Sequence, residues 1–96
     1  MSTLHVISHS PFGDNRLASC LRLLGPQDGL LLCGDAVYAL NPGTANVASL
    51  STLGPRLYAL AEDLQARAIA DSPATAVDYP GFVALSLDYD KVNSWL

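Results

Sequence analysis

Short apolar runs recur along the chain, separated by segments rich in Gly, Pro and polar residues. Four of the runs contain β-branched or large aliphatic residues and end at turn-forming residues, which is the pattern of strands. The predicted strands are residues 4–8, 29–33, 56–60 and 74–78. The second run has no polar alternation, and this indicates a strand buried on both faces of a parallel sheet.

Between the first two predicted strands, the apolar spacing changes to that of an amphipathic helix. The residues at spacing i, i+3, i+4 and i+7 are Leu17, Cys20, Leu21 and Leu24. The helix can begin at Ser10-Pro11 or at Asp14, because Ser and Asp are good N-caps and Pro is favoured at the first helical position. Gly25-Pro26 ends the helix.

Strands and helices alternate along the rest of the chain, and this alternation predicts the fold class. Further helices are predicted at residues 36–40, 45–53 and 62–69, with a last one from Pro80 to about residues 86–89. The pattern predicts one α/β domain, residues 1–96, with three α/β/α layers and a mainly parallel sheet. Functional residues collect at the carboxyl ends of such strands. These ends are His9-Ser10, Cys33 to Asp35, Ala61 to Asp63, and Tyr79.

The composition is unusually apolar for so short a chain. Hydrophobic residues make up 50% of the sequence and charged residues 15%, against a usual charged share of about 25%. A domain of this size has a modest core, so we expect apolar surface to stay exposed and to mark a sizeable protein interface. The alternative is that the core takes up all of the apolar side chains.

The charge pattern argues against several function classes. The net charge is −4 and the five basic residues form no cluster, so direct nucleic-acid binding is not expected. No apolar run approaches the ~20 residues that a membrane span needs. The N-terminus lacks the features of a signal peptide, and we expect a cytoplasmic protein whose two cysteines are free thiols.

Cys20 is the first candidate for chemistry, because a thiol can carry a sulfur atom as a persulfide. The alternative is an inert core thiol, which is common for free cysteine. Arg16 lies four residues earlier, a spacing that allows its guanidinium to lower the pKa of the thiol. For Cys33 the case for burial is stronger than for Cys20, because it ends a leucine run inside a predicted central strand, and we do not expect it to be reactive.

Other polar residues have structural explanations that we favour over functional ones. Asp35 follows a strand end and is predicted to cap the next helix, with a polar site residue as the alternative. His5 and His9 lack a third metal ligand. Glu62-Asp63 is predicted to be a solvated helix N-terminus rather than a catalytic carboxylate pair. Trp95, close to the C-terminus, is expected to dock into the domain or onto a neighbour.

Several stretches in order along the chain carry a family resemblance. They are residues 4–12, 30–37, 58–67 and 78–83, with the near-terminal Trp95. Together they resemble the TusB/DsrH family of sulfur-relay subunits. The sequence departs from the family's usual Asp-Gly-Val pattern by Ala36 after Asp35, and Cys33 replaces an aliphatic residue.

The resemblance implies a DsrE/F/H-like α/β/α fold and assembly with TusC-like and TusD-like subunits into a heterohexamer. Such a complex relays persulfide sulfur from a TusA-type donor to a TusE-type acceptor, for 2-thiolation of wobble uridine in tRNA. The main relay cysteine belongs to the TusD-like partner. The DsrH branch has a cysteine on its first helix, and Cys20 is the corresponding position, which makes it a candidate persulfide site. No cofactor or metal is expected.

Two other functions stay open at this point. One is a DsrH-like subunit of a sulfur-oxidation relay, and the other is a free-standing thiol sulfurtransferase that uses Cys20. A flavodoxin-type nucleotide- or flavin-binding domain is disfavoured, because the sequence has no Gly-rich phosphate loop.

Overall fold

Five short strands form one parallel sheet in the computed structural model, which describes residues 2–10, 15–41, 47–69 and 72–95. The strands are β1 Thr3–Ile7, β2 Gly29–Leu32, β3 Leu57–Leu60, β4 Thr75–Val77 and β5 Lys91–Trp95. They lie in the order β4-β3-β2-β1-β5, and every neighbouring pair is parallel. The predicted α/β class with a parallel sheet is confirmed.

Short helices connect the strands. The α-helices among the described residues are α1 Arg16–Leu23, α2 Val47–Ser51, α3 Ala61–Ala66 and α4 Tyr79–Asp88, with 3₁₀ segments at Gly34–Leu40 and Gly54–Arg56. The α1 helix begins at Arg16 and not at Ser10; Pro11 and the other predicted start, Asp14, lie outside the described residues. No helix in the described ranges is long and apolar enough to cross a membrane.

The sequence pattern missed β5, the edge strand beside β1. Its five residues include only two large apolar side chains, Val92 and Trp95, so neither alternation nor an apolar run marks it as a strand. Its register pairs Ile7 with Trp95. The expectation that Trp95 docks into the domain is confirmed, because its side chain packs against the buried cluster that contains Ile7.

The two faces of the sheet are covered unequally. On the α1 face, helices α1 to α3 and the 3₁₀ helix Gly34–Leu40 pack on the sheet, and fifteen of the described residues form a buried cluster. On the α4 face, the sheet is covered by α4, and the fully buried cluster has three members, Leu4, Leu31 and Leu60. This asymmetry decides where each candidate residue lies.

Candidate functional site

Cys20 lies on α1 and points into the core of the α1 face. It is fully buried, beside Leu17 on the predicted apolar stripe. Burial raises the pKa of the Cys20 thiol to about 12, and the negative charge of Asp28 adds to this effect. The pKa of the thiol is therefore raised, and not lowered as the spacing of Arg16 would allow, because desolvation of the thiolate dominates. In the isolated chain Cys20 therefore has neither the exposure nor the ionisation that persulfide transfer needs.

Cys33 lies just after β2, at the carboxyl end of the sheet, and belongs to the α4 face. Its side chain is partly exposed, so the expectation that Cys33 is buried is wrong. The leucine run stops at Leu32, and the Cys33 thiol donates a weak hydrogen bond to the carbonyl of Ile7, with 3.6 Å between sulfur and oxygen. Burial, followed by the negative charge of Asp63, raises the pKa of this thiol as well.

A polar cluster occupies the carboxyl ends of β2 and β3, where functional residues were predicted to collect. The Gly34 backbone N–H donates to Asp63 Oδ2 at 2.8 Å. Gly34 has a φ of +53°, and a Cβ there would lie 3.2 Å from the Ser8 carbonyl oxygen. Glycine therefore suits this turn, both for its positive φ and for the close approach of the Ser8 carbonyl. The hydrogen bond to Asp63 holds the Gly34 backbone in place.

Arg67 holds the second carboxylate of this cluster. Its guanidinium lies 2.9 Å from Asp35 Oδ1 and 3.5 Å from Asp63 Oδ1, and its carbon is 5.7 Å from the centre of the Tyr38 ring. The prediction that Asp35 caps the 3₁₀ helix is wrong, because Asp35 lies inside the first turn and the N-cap residue is Cys33, whose side chain makes no capping hydrogen bond. The prediction that Asp63 is merely solvated is also wrong. These groups satisfy one another at the carboxyl ends of β2 and β3.

His5 is part of a polar network on the α1 face, where it is 7% exposed. The Trp95 indole N–H donates to His5 Nδ1 at 3.0 Å, and His5 Nε2 lies 3.5 Å from Asp28 Oδ2. An indole nitrogen only donates, so Nδ1 carries no proton and a neutral His5 has its proton on Nε2, towards Asp28. His5 thus links the C-terminal strand to Asp28.

Asp28 also receives two backbone hydrogen bonds, from the N–H groups of Thr3 and Gly25 at 3.0 and 2.9 Å. Burial alone would raise the pKa of Asp28, but these two bonds, together with His5, lower it below its ordinary value. Sequence reasoning did not single out Asp28. Its position after Gly25-Pro26 was the available signal, since Asp commonly accepts backbone hydrogen bonds in turns.

His5 and His9 belong to no metal site within the part of the chain that the structure describes. His5 is engaged by Trp95 and Asp28. Within residues 2–10, 15–41, 47–69 and 72–95, no group of three or more His, Cys, Asp or Glu side chains is arranged to hold a metal ion.

A cleft of about 350 Å³ lies between the end of α1 and α2, but neither thiol opens into it. Its lining residues are Leu21, Arg22, Leu24, Gly25, Pro26, Ser49, Thr52, Leu53 and Arg56. Arg56 Nη1 is already bonded to the carbonyls of Gly25 and Asp28, at 2.9 and 2.8 Å. Arg56 therefore stabilises the turn before β2, and the cleft contains no cysteine.

The most unusual surface of the described chain is the outer side of α4. Its inner side meets the sheet through Phe82, Leu85 and Tyr89, yet no residue of α4 is fully buried. The outer side is formed by Tyr79, Pro80, Val83, Ala84 and Leu87, all of them exposed. We name this set the α4 surface. Its three large side chains, Tyr79, Val83 and Leu87, are 57%, 59% and 81% exposed.

A helix that is apolar all round is normally buried on all sides. The sequence contained this signal, because residues 79–87 have apolar side chains at both the inner and the outer positions. Pattern reasoning predicted the helix from Pro80 and predicted exposed apolar surface, but it did not connect the two. In the structure they coincide.

Comparison with known proteins assigns this α/β chain to a family. Residues 9–92 match the DsrH-like family, described as "DsrH like protein". The chain is 38% identical over 95 residues to Protein TusB of Erwinia tasmaniensis, and 35% identical over 95 residues to Protein TusB of Enterobacter sp. (strain 638) and of Escherichia coli O81. Each alignment covers 96% of this chain and 99% of the relative.

The chain therefore belongs to the DsrH-like family that includes the TusB proteins, and the predicted TusB/DsrH resemblance is confirmed. It is a sulfur-relay subunit by family.

Proposed function

We propose that residues 1–96 act as one TusB-like subunit of a cytoplasmic TusBCD-type sulfurtransferase complex, with mainly an assembly role. The complex, built with TusC-like and TusD-like partners, relays persulfide sulfur from a TusA-type donor to a TusE-type acceptor for 2-thiolation of wobble uridine in tRNA. The proposal draws its pathway from the TusB name of the relatives and from the family resemblance.

The observation that carries the assembly role is the α4 surface. Three large apolar side chains on one side of a single helix are more than half exposed. Removing such side chains from water is favourable by about 25 cal/mol for each Å² of apolar surface buried. A binding partner that covers α4 gains this free energy, whereas the isolated chain leaves it unused.

The thiols support the same assignment over that of a free-standing thiol enzyme. In sulfur relay, an acceptor thiolate attacks the outer sulfur of a persulfide, the donor S–S bond breaks, and the donor leaves as a thiolate. Cys20 is fully buried with a pKa raised to about 12. It can enter such a reaction only after α1 moves away from the sheet. We therefore assign Cys20, at most, a secondary role as a persulfide site that the assembled complex exposes.

The alternative context is a DsrH-like subunit of a sulfur-oxidation relay, which the DsrH-like family match supports equally. The two contexts differ in the protein that accepts the sulfur. Loss of 2-thiouridine from tRNA after deletion of the gene supports the tRNA pathway. Unchanged 2-thiouridine together with impaired sulfur oxidation supports the alternative.

Co-expression with the TusC-like and TusD-like chains of the same organism tests the proposed function. We expect a tag on this chain to purify both partners in equal amounts through size exclusion. A chain that purifies alone, while the two partners purify with each other, contradicts the subunit assignment.

Mass spectrometry after incubation with a persulfide donor tests the thiol role. The isolated chain should gain no sulfur at Cys20, and Cys20→Ser should leave co-purification unchanged. A gain of one sulfur atom in the isolated native chain that disappears in Cys20→Ser would instead favour the free-standing sulfurtransferase.

A further inference from the structure

We propose that the α4 surface docks onto a partner protein that presents an apolar strip flanked by Lys or Arg side chains, and not onto a second copy of this chain. The proposal rests on the proposed function for the identity of the partner, a TusC-like or TusD-like subunit. It goes further by assigning the face that binds and the chemistry that the face selects.

The geometry defines an elongated apolar contact. Tyr79, Val83 and Leu87 are spaced four residues apart, so they follow one another along a single side of α4. Val92 of β5 is 45% exposed and pairs in register with Leu4, a member of the α4-face cluster. Register partners point to the same side of a sheet, and Val92 therefore adds apolar area on the α4 face.

The charges at the ends of α4 determine what can bind there. Asp78 caps the N-terminus through the Gly81 N–H, Asp88 lies in the last turn, and Asp90 follows two residues later. All three residues are exposed, and Lys91 is the basic residue next to them. Three carboxylates against one ammonium give residues 78–91 a net charge of −2, which is half of the charge of the whole chain.

Asp88 indicates at which end of α4 the basic side chains of a partner would lie. A helix C-terminus carries a partial negative charge, and a carboxylate in the last turn is disfavoured there. The last turn of α4 contains no basic residue. A Lys or Arg from a partner would neutralise both the carboxylate and the helix terminus, and we expect the partner's basic side chains at this end.

The same charges argue against a second copy as the occupant. In a symmetric dimer through the α4 surface, each copy contributes the same patch, and both patches are bordered by the exposed carboxylates of Asp78 and Asp88. Like charges brought together at an interface disfavour association. A partner with an apolar strip and a basic rim avoids this cost, and it gains the attraction.

A binding titration with paired variants tests the proposal. The affinity of the purified chain for the separately purified TusC-like and TusD-like proteins is measured at low and high salt. Leu87→Arg should weaken binding about 30-fold or more, the loss typical of a central interface side chain. Leu23→Arg is the matched control, because Leu23 is a 67% exposed leucine in the last turn of α1, on the opposite face. It should change affinity by less than about threefold.

The acidic end is tested by Asp88→Asn, with Glu62→Gln as its control on the α1 face. Asp88→Asn should weaken binding about threefold or more and reduce its salt dependence, whereas Glu62→Gln should change neither. An Arg at position 87 is compatible with the fold, because the residue is exposed and a cation suits a helix C-terminus. Far-UV circular dichroism should confirm an unchanged fold for all four variants.

The outcomes separate the two proposals. If the wild-type chain binds but Leu87→Arg binds equally well, or Leu23→Arg is the variant that fails, the α4 surface is not the docking site, and the proposed function stands. If the wild-type chain forms a concentration-dependent dimer that Leu87→Arg dissolves, the occupant is a second copy. If the wild-type chain binds neither partner, the proposed function fails and this proposal fails with it.

Discussion

The α1 face and the α4 face of the same sheet differ in how completely their apolar side chains are buried. On the α1 face, fifteen described residues are buried under three α-helices and a 3₁₀ helix, and Cys20 is among them. On the α4 face, three residues are buried under a helix whose own outer side is apolar and exposed. The chain therefore buries most of its core on the α1 face, and the α4 face keeps the apolar surface that we propose for contact with a partner.

Truncation of two leucines, one on each face, should give the strongest contrast in stability. Leu57→Ala removes a fully buried side chain of the α1 face and should lower the free energy of unfolding by about 3–4 kcal/mol. Leu87→Ala removes an 81% exposed side chain and should change it by less than about 0.5 kcal/mol, because Ala is also the best helix former. Urea denaturation of both variants measures this contrast. Similar losses at the two positions would show that α4 is as well packed as the core.

The next prediction uses the cysteines as probes of the two faces. Iodoacetamide at mildly alkaline pH should label Cys33 in the native chain about a hundredfold faster than Cys20, which reacts only in opened molecules. Denaturant should make the two rates similar. The sites are distinguished by peptide mass spectrometry. Fast labelling of Cys20 in the native chain would mean that α1 opens easily. It would then support Cys20 as a persulfide site in the isolated chain.

Asp28→Asn tests the polar network of the α1 face. The Asn side chain has one oxygen, so it cannot accept the N–H groups of Thr3 and Gly25 on two separate oxygens as Asp28 does. We expect the free energy of unfolding to fall by about 1–2 kcal/mol at neutral pH. Because the pKa of folded Asp28 lies below its ordinary value of 3.8, its stabilising contribution is complete above that value and is lost as pH falls through the lower, folded pKa. Urea midpoints of the wild type and the variant should therefore converge in acid.

Asp35→Asn is the control for this experiment. Asp35 pairs with Arg67 at the surface, and its side chain is 58% exposed. An exposed ion pair contributes little to stability, so this variant should lower the free energy of unfolding by less than about 0.5 kcal/mol. A loss at Asp28 no larger than that at Asp35 would contradict a structural role for the network.

The smallest effect is expected at the end of α3, again on the α1 face. Ala68 has a φ of +54°, and the N–H of Ile69 donates to the carbonyl of Leu64 at 2.9 Å, which is a Schellman end with Ala where Gly is usual. Ala68→Gly should raise the free energy of unfolding by about 0.5 kcal/mol, because relief of left-handed strain slightly exceeds the added entropy of the unfolded chain. A decrease would show that Ala68 is unstrained.

Sequence reasoning recovered the parts of the fold that rest on local pattern. The Leu30 to Leu32 run and the stripe that begins at Leu17 each predicted their element, because burial of one face imposes a period on the sequence. Sequence reasoning failed where an element forms only through pairing with a distant part of the chain. Strand β5 has no strand-like pattern and is placed by its register with β1 and by the Trp95 to His5 hydrogen bond.

The candidate site was harder to predict than the fold. A cysteine on an apolar stripe can be exposed or buried depending on how closely the helix packs, and the sequence does not give that distance. Asp35 looked like a cap because local preference favours one, but Arg67, thirty-two residues away, holds it instead. Such contacts depend on tertiary geometry that no spacing in the sequence encodes.

Hydrogen–deuterium exchange of the chain, alone and with the proposed TusC-like and TusD-like partners, is the sharpest test of whether α4 is the binding face. Amides of α4 and β5 should exchange more slowly in the complex, while those of α1 and α2 keep the rates of the isolated chain. Slower exchange confined to α1 and α2, with α4 unchanged in a complex that has formed, would contradict this prediction.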